Sequence, residues 1–145
     1  MQPRVVTIGY ERATQAEVVA RLADAGVARL IDVRAVAASR RAGFSKTLLA
    51  AGLAEAGIAY THLRALGTPK EGREAARRGD HAALGTIYGA ALETPEAVDA
   101  FALLQAMVGA ECCALLCYEA DAAGCHRRIL TDRLAARLGA EIVDL

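Results

Sequence analysis

Short apolar runs alternate with helix-length stretches along the whole chain, and this alternation restricts the fold more than any other feature of the sequence. Val5-Val6-Thr7-Ile8-Gly9-Tyr10 reads as a first strand. Thr14-Gln15-Ala16-Glu17 then forms a capping box, in which the Thr hydroxyl and the Glu carboxylate each satisfy the other's backbone N–H. Val18, Val19, Leu22 and Ala25 fall on one helical stripe that stops at Gly26. Residues 27–33 give a second strand, with Leu30 and Ile31 at its buried centre. After a polar loop over 34–43, Ser45 can cap a helix through Leu48, Leu49, Leu53 and Ala56, closed by Gly57. Residues 58–63 are a third strand. Residues 66–80 are expected to be irregular, because Gly67, Pro69, Gly72 and Gly79 punctuate a charged stretch. Residues 81–92 read as helical, and Thr94-Pro95-Glu96 starts another helix with proline at its first position, running through Phe101, Leu104 and Met107. Residues 112–118 form the fourth strand, 125–138 the last helix and 141–145 a fifth strand.

Strands that alternate with helices of this length predict an α/β domain of three layers, a mainly parallel five-stranded sheet with helices on both faces. The 145 residues suit one domain over residues 1–145. The hydrophobic fraction of 54% is largely alanine and aromatics make up 4%, so the core is expected to pack from small side chains. Parallel sheets hold ligands beyond the carboxyl ends of their strands. The loops after Tyr10, Val33, Leu63 and Tyr118 are therefore where a site is expected.

Seventeen basic and seventeen acidic residues leave no net charge, so no global field draws in nucleic acid or anionic lipid. Any anion binding has to be local. No apolar stretch is long enough to span a bilayer, and Met1-Gln2-Pro3-Arg4 has no signal-peptide shape. A cytoplasmic location with reduced cysteines is the expectation, and an alanine-rich helix such as 95–108 is compatible with a homodimer. The adjacent Cys112 and Cys113 read as small buried hydrophobes.

The densest chemistry lies in residues 115–128, where two cysteines, two carboxylates, a histidine and two arginines gather at one strand-to-helix junction. Cys125 in the first turn of the helix, beside His126 and Arg127, would have its thiol pKa lowered by the helix dipole and its cationic neighbours. It reads either as a nucleophile or redox centre, with Cys117 eight residues earlier as its partner, or as an inward-packed side chain. The phosphatase signature Cys-x5-Arg fails, since position 131 is Thr. Cys117, Cys125, His126 and His62 do not show the closely spaced Cys pairs of zinc sites, so no metal and no other cofactor is expected. Arg127 either binds an anion or pairs with Glu119 or Asp32.

In Asp32-Val33-Arg34, strand alternation puts Asp32 and Arg34 on one face, toward the crevice that Glu119 would share. Two carboxylates at neighbouring strand ends suit general acid–base work or nucleophilic attack. Arg34 and Arg40 offer planar donor forks for phosphate or carboxylate, and Ser39 adds a hydroxyl. Tyr10 and His62 are further strand-end groups able to orient a ligand. The opposing reading is a solvated loop with an internal Asp–Arg bridge.

The blocks Thr7-Ile8-Gly9-Tyr10, Asp32-Val33-Arg34, Ser39-Arg40-Arg41, Gly43-Phe44-Ser45-Lys46, Tyr60-Thr61-His62-Leu63, Leu66-Gly67 and Cys117-Tyr118-Glu119 with Cys125-His126-Arg127 occur in this order. Together they make a sequence that resembles the domain-of-unknown-function 488 (DUF488) family over nearly the whole chain. Ala37, Ala42 and Ala122-Ala123-Gly124 stand where that family often carries prolines. The resemblance implies a compact α/β fold and brings no reaction with it. From the residues, the leading expectation is an enzyme that binds an anionic small molecule or nucleic-acid fragment bearing phosphate. In that reading Arg34, Arg40 and Arg127 hold the anion, and Glu119 with Asp32 does the chemistry. A thiol enzyme or redox sensor at Cys125 and Cys117, and a non-catalytic nucleic-acid-binding module, are the alternatives. No aromatic-rich basic surface for stacking bases is visible, which counts against the last.

Overall fold

Five strands carry the fold in the computed structural model, which describes residues 2–145: β1 (Arg4–Gly9), β2 (Arg29–Asp32), β3 (Ala59–His62), β4 (Cys113–Cys117) and β5 (Glu141–Asp144). They form one sheet in the order β3-β2-β4-β1-β5, and every pairing is parallel, so the expectation of a mainly parallel sheet becomes an all-parallel one. Six α-helices cover it: α1 (Gln15–Asp24), α2 (Lys46–Glu55), α3 (Lys70–Arg77), α4 (His81–Ala91), α5 (Pro95–Ala110) and α6 (His126–Leu138). Among the described residues, no helix is long and apolar enough to cross a membrane.

Side chains alternate across a strand with a period of two, and the two faces of the sheet feed two separate cores. On one face Val6, Ile8, Leu30, Ala114 and Leu116 pack with Val18 and Leu22 of α1 and Leu49 and Leu53 of α2. On the other, Val5, Ile31, Cys113 and Leu115 pack with Leu84 and Tyr88 of α4, Leu104 of α5, and Leu130 and Leu134 of α6. β4 lies in the middle and is buried on both faces along its whole Cys-Ala-Leu-Leu-Cys length, as a central parallel strand must be. After β1 the chain turns to the α1 face, whereas after the adjacent β4 it turns to the α6 face. Neighbouring strand ends that diverge in this way open a crevice between them. The register sets the level of that crevice, since Gly9 stands opposite Cys117, and Asp32 opposite both Leu116 and His62.

The capping box forms as the sequence predicts, with the Thr14 hydroxyl accepting from the Glu17 N–H and the Glu17 carboxylate accepting from the Thr14 N–H. Two expectations are corrected. Residues 66–80 are not irregular: a single 3-10 turn (Arg64–Leu66) leads into α3, inside which Gly72 sits. Gly72 is there because a Cβ would strike the Thr68 side chain, so it marks close packing and not a break. Ser45 stands at the N-cap position of α2, but its hydroxyl makes no cap bond and instead ties to the backbone N–H and C=O of Ser39. Cys125, placed by sequence in the first turn of the last helix, is the N-cap residue of α6.

Candidate functional site

At the end of β2, charge is closed on itself. The Arg34 guanidinium folds back onto Asp32, donating from Nε to Oδ1 at 2.8 Å and from Nη2 to Oδ2 at 2.6 Å. Oδ1 also accepts the Arg34 backbone N–H at 3.1 Å, and Oδ2 accepts the Tyr60 hydroxyl at 2.5 Å. The remaining Arg34 nitrogen, Nη1, donates to the Phe44 carbonyl at 2.8 Å and to the Tyr10 hydroxyl at 3.2 Å. Both partners are buried, Asp32 completely. Burial alone would lower the Arg34 pKa, but the Asp32 carboxylate outweighs it and the net shift is upward. Burial and then the same carboxylate raise the Tyr60 hydroxyl, so Tyr60 stays a neutral donor. His62, on the neighbouring strand, donates from Nε2 to the Arg34 carbonyl at 2.7 Å and fixes the loop after β2.

The end of β4 is arranged differently. Cys117 is the last residue of the strand and Cys125 the residue before α6; their sulfurs stand at bonding distance as a disulfide, where the sequence predicts reduced cysteines, with the Cα atoms 7.7 Å apart. His126 Nε2 bonds the Val33 carbonyl at 2.8 Å, and a carbonyl can only accept, so Nε2 carries the proton. Burial, above all, pushes His126 down to about 4; the cations of Arg127 and Arg73 act the same way, against the Val33 bond and Asp32. A neutral ring with its proton on Nε2 presents the Nδ1 lone pair to Cys125 Sγ, 3.5 Å away. The ring also stands edge-on to Tyr88, with centroids 5.1 Å apart.

Arg127 is the largest fully buried side chain among the described residues. Its Nη1 donates to the Glu119 carbonyl at 2.6 Å and to Cys117 Sγ at 3.0 Å, and its Nη2 to the Ala120 carbonyl at 3.1 Å. Among the described residues Nε has no partner and no carboxylate pairs with the guanidinium. Burial lowers its pKa, with Asp144, Glu119 and Asp121 opposing from a distance. The Arg127–Glu119 contact is thus made to the backbone, so neither carboxylate suggested by the sequence pairs with this cation. The same bond holds the post-β4 chain over Gly9, where the Glu119 carbonyl leaves no room for a Cβ.

Between these two strand ends lies a cavity of about 380 Å³. Tyr10, Arg34, Cys117, Glu119 and His126 line it from the sheet side, and Thr68 and Arg73 from the side of α3. Arg73 is steadied by a bond from Nη1 to the Thr68 carbonyl at 2.8 Å. The Thr68 hydroxyl is buried and has no hydrogen-bond partner among the described residues.

The profile of the family described as domain of unknown function DUF488 matches residues 14–134. The chain belongs to the DUF488 family. That span includes every lining residue named above except Tyr10, which lies just before it. Searches against curated proteins and against solved structures returned no match.

The residues singled out in this DUF488 chain separate into three groups. Tyr10, Arg34, Glu119 and His126 line the cavity, together with Cys117. Asp32, Cys125 and Arg127 are buried immediately behind that lining and touch it through Arg34, His126 and Cys117 respectively. Ser39, Arg40 and His62 lie outside it. The Ser39 hydroxyl accepts the Arg41 N–H, Arg40 is exposed, and His62 holds the Arg34 carbonyl. The residue next to Arg40 has the larger structural part, because Arg41 donates to the carbonyls of Tyr10, Glu11 and Ala13 and so clamps the loop after β1. Sequence reasoning missed Thr68, and it touched Arg73 only as part of the charged stretch over 66–80. Reading Gly72 as a helical close-packing residue would have placed Arg73 on a helix facing the sheet.

Proposed function

We propose that the cavity is the active site of a small enzyme acting on a phosphate-bearing ligand of nucleotide size, a nucleotide or a nucleic-acid end. The observation that carries this reading is the pair of guanidinium groups, Arg34 and Arg73, in the lining of the cavity. The charges around it support the same class of ligand. Arg34, Arg73 and Arg127 stand against Asp32 and Glu119, which leaves one positive charge over, and Arg127 lacks a carboxylate. A buried cation without a counter-ion lowers the cost of bringing an anion in. Within this reading Arg73 and the Thr68 hydroxyl hold the anion, and Tyr10 and Arg34 form its floor.

Glu119 is the group suited to acid–base or nucleophilic work, since it lines the cavity and its carboxylate makes no hydrogen bond or ion pair among the described residues. Asp32 has all its acceptor capacity committed to Arg34 and Tyr60, so its part is to orient Arg34. A thermal-shift screen of nucleoside monophosphates, sugar phosphates and inorganic phosphate tests the reading, with Arg73→Ala as the control. Arg34→Ala is a poor control because it also breaks a buried ion pair. The expected result is stabilisation of the wild type by at least one phosphate ester and its loss in Arg73→Ala. No stabilisation, or equal stabilisation of both proteins, contradicts the proposal.

A further inference from the structure

We propose that Cys117, Cys125 and His126 form a metal site for zinc or a divalent ion of the same ligand preference. The inference goes beyond the anion reading and does not need it. One ligand atom from each of these three buried residues lies within 4.8 Å of the other two. Two ligands sharing a tetrahedral zinc, at about 2.3 Å for sulfur and about 2.0–2.1 Å for nitrogen, stand roughly 3.5–3.8 Å apart. The 3.5 Å between His126 Nδ1 and Cys125 Sγ matches that separation, whereas the two sulfurs stand at bonding distance and must be reduced and move apart to share an ion.

Three independent features of the surroundings favour a metal over a disulfide. The Cα atoms of Cys117 and Cys125 stand 7.7 Å apart, beyond the roughly 4.4–6.8 Å of disulfides and in the direction that two thiolates on a shared ion require. His126 is held by its Nε2–H on the Val33 carbonyl, the outer bond that metal-ligating histidines characteristically make, and this leaves Nδ1 aimed at the sulfurs. Arg127 donates an N–H to Cys117 Sγ at 3.0 Å, a bond that a thiolate accepts more strongly than a disulfide sulfur does.

Cys117 and His126 line the cavity, so a fourth ligand has access from that side, the pattern of three protein ligands plus substrate or water. Binding the ion to two thiols releases two protons to solvent, and the resulting centre of one divalent cation and two thiolates carries no net charge. The surplus charge of Arg127 then remains. Spacing in the sequence concealed the set, because the ligands come from a strand end and a helix start that the sheet topology brings together. His62, grouped with them by residue type, is held instead on the Arg34 carbonyl.

The test is a cobalt(II) titration of the full chain, reduced and kept anaerobic, followed by its thiolate-to-metal charge-transfer and ligand-field absorption. The expected result is saturation at one cobalt per chain and displacement by zinc. Apparent affinity should fall at least about 100-fold in Cys117→Ser and Cys125→Ser and about 10-fold or more in His126→Ala, and stay unchanged in Cys112→Ser. No charge-transfer band in the folded, reduced wild type overturns the proposal, as does a band that survives both cysteine substitutions. X-ray absorption of the zinc-loaded wild type needs no variant to fold. Two sulfurs at about 2.3 Å with one nitrogen near about 2.0 Å support the site, and a shell of oxygen and nitrogen alone overturns it.

Discussion

The ends of β2 and β4 lie side by side in the sheet, and each buries an arginine, yet the two are satisfied in opposite ways. Arg34 meets its carboxylate within the same tripeptide, in a two-pronged ion pair that Tyr60 completes. Arg127 meets two carbonyls and a sulfur, and one of its nitrogens meets nothing among the described residues. The first arrangement is complete without a ligand. The second lacks negative charge, and it lies beside a cavity, an unpartnered hydroxyl and a cluster of soft ligand atoms. The contrast separates a frame that sets geometry from a region whose polar groups still need a partner.

The largest expected effect falls on the frame. Asp32→Ala leaves the Arg34 charge buried alone and should cost about 3–5 kcal/mol of folding stability, read as a shift of the urea midpoint at constant slope. An Asp32→Ala midpoint near wild type would break the comparison at once, since β2 would then hold no more than β4. Arg127→Met on the other side exposes no counter-charge and leaves the Glu119 and Ala120 carbonyls and the weakly accepting Cys117 sulfur unpaired, a loss of about 2 kcal/mol by the same measurement. Tyr60→Phe removes one hydroxyl from a carboxylate that keeps its other partners, and about 1.5 kcal/mol is expected. Thr68→Val should be the mildest for folding, within about 0.5 kcal/mol or slightly stabilising, because no existing bond is lost. The same substitution should weaken phosphate-ester binding about 10-fold, a single neutral hydrogen bond's worth. Affinity unchanged in Thr68→Val would move the anion away from that wall of the cavity.

Much of the frame was legible in the sequence because it rests on local rules. The capping box at Thr14, the proline start at Pro95 and the strand runs all depend on residues within a turn or two of one another. The pairing of Asp32 with Arg34 was legible for the same reason, since strand alternation alone puts the two side chains on one face. What sequence could not give was long-range. Thr68 and Arg73 reach the cavity only because α3 packs over the β2 end, and α3 was masked by a glycine that serves packing. The union of Cys117, Cys125 and His126 depends on a strand end and a helix start meeting, which no count of intervening residues reveals. Arg40 is the reverse case: its charge and position in the loop drew attention, but it faces solvent while Arg41 turns inward.

The contrast between the two strand ends is tested most directly by following the backbone amide resonances of the full chain during a titration with inorganic phosphate. The account predicts saturable shifts at Thr68, Gly72, Arg73, Tyr118 and Glu119, all of which line the cavity, with the amide of Asp32 behind the lining moving little. Shifts that grow without saturating and centre on the exposed Arg12, Arg77 and Arg78 would contradict it, because the anion would then be answering surface charge and not the cavity.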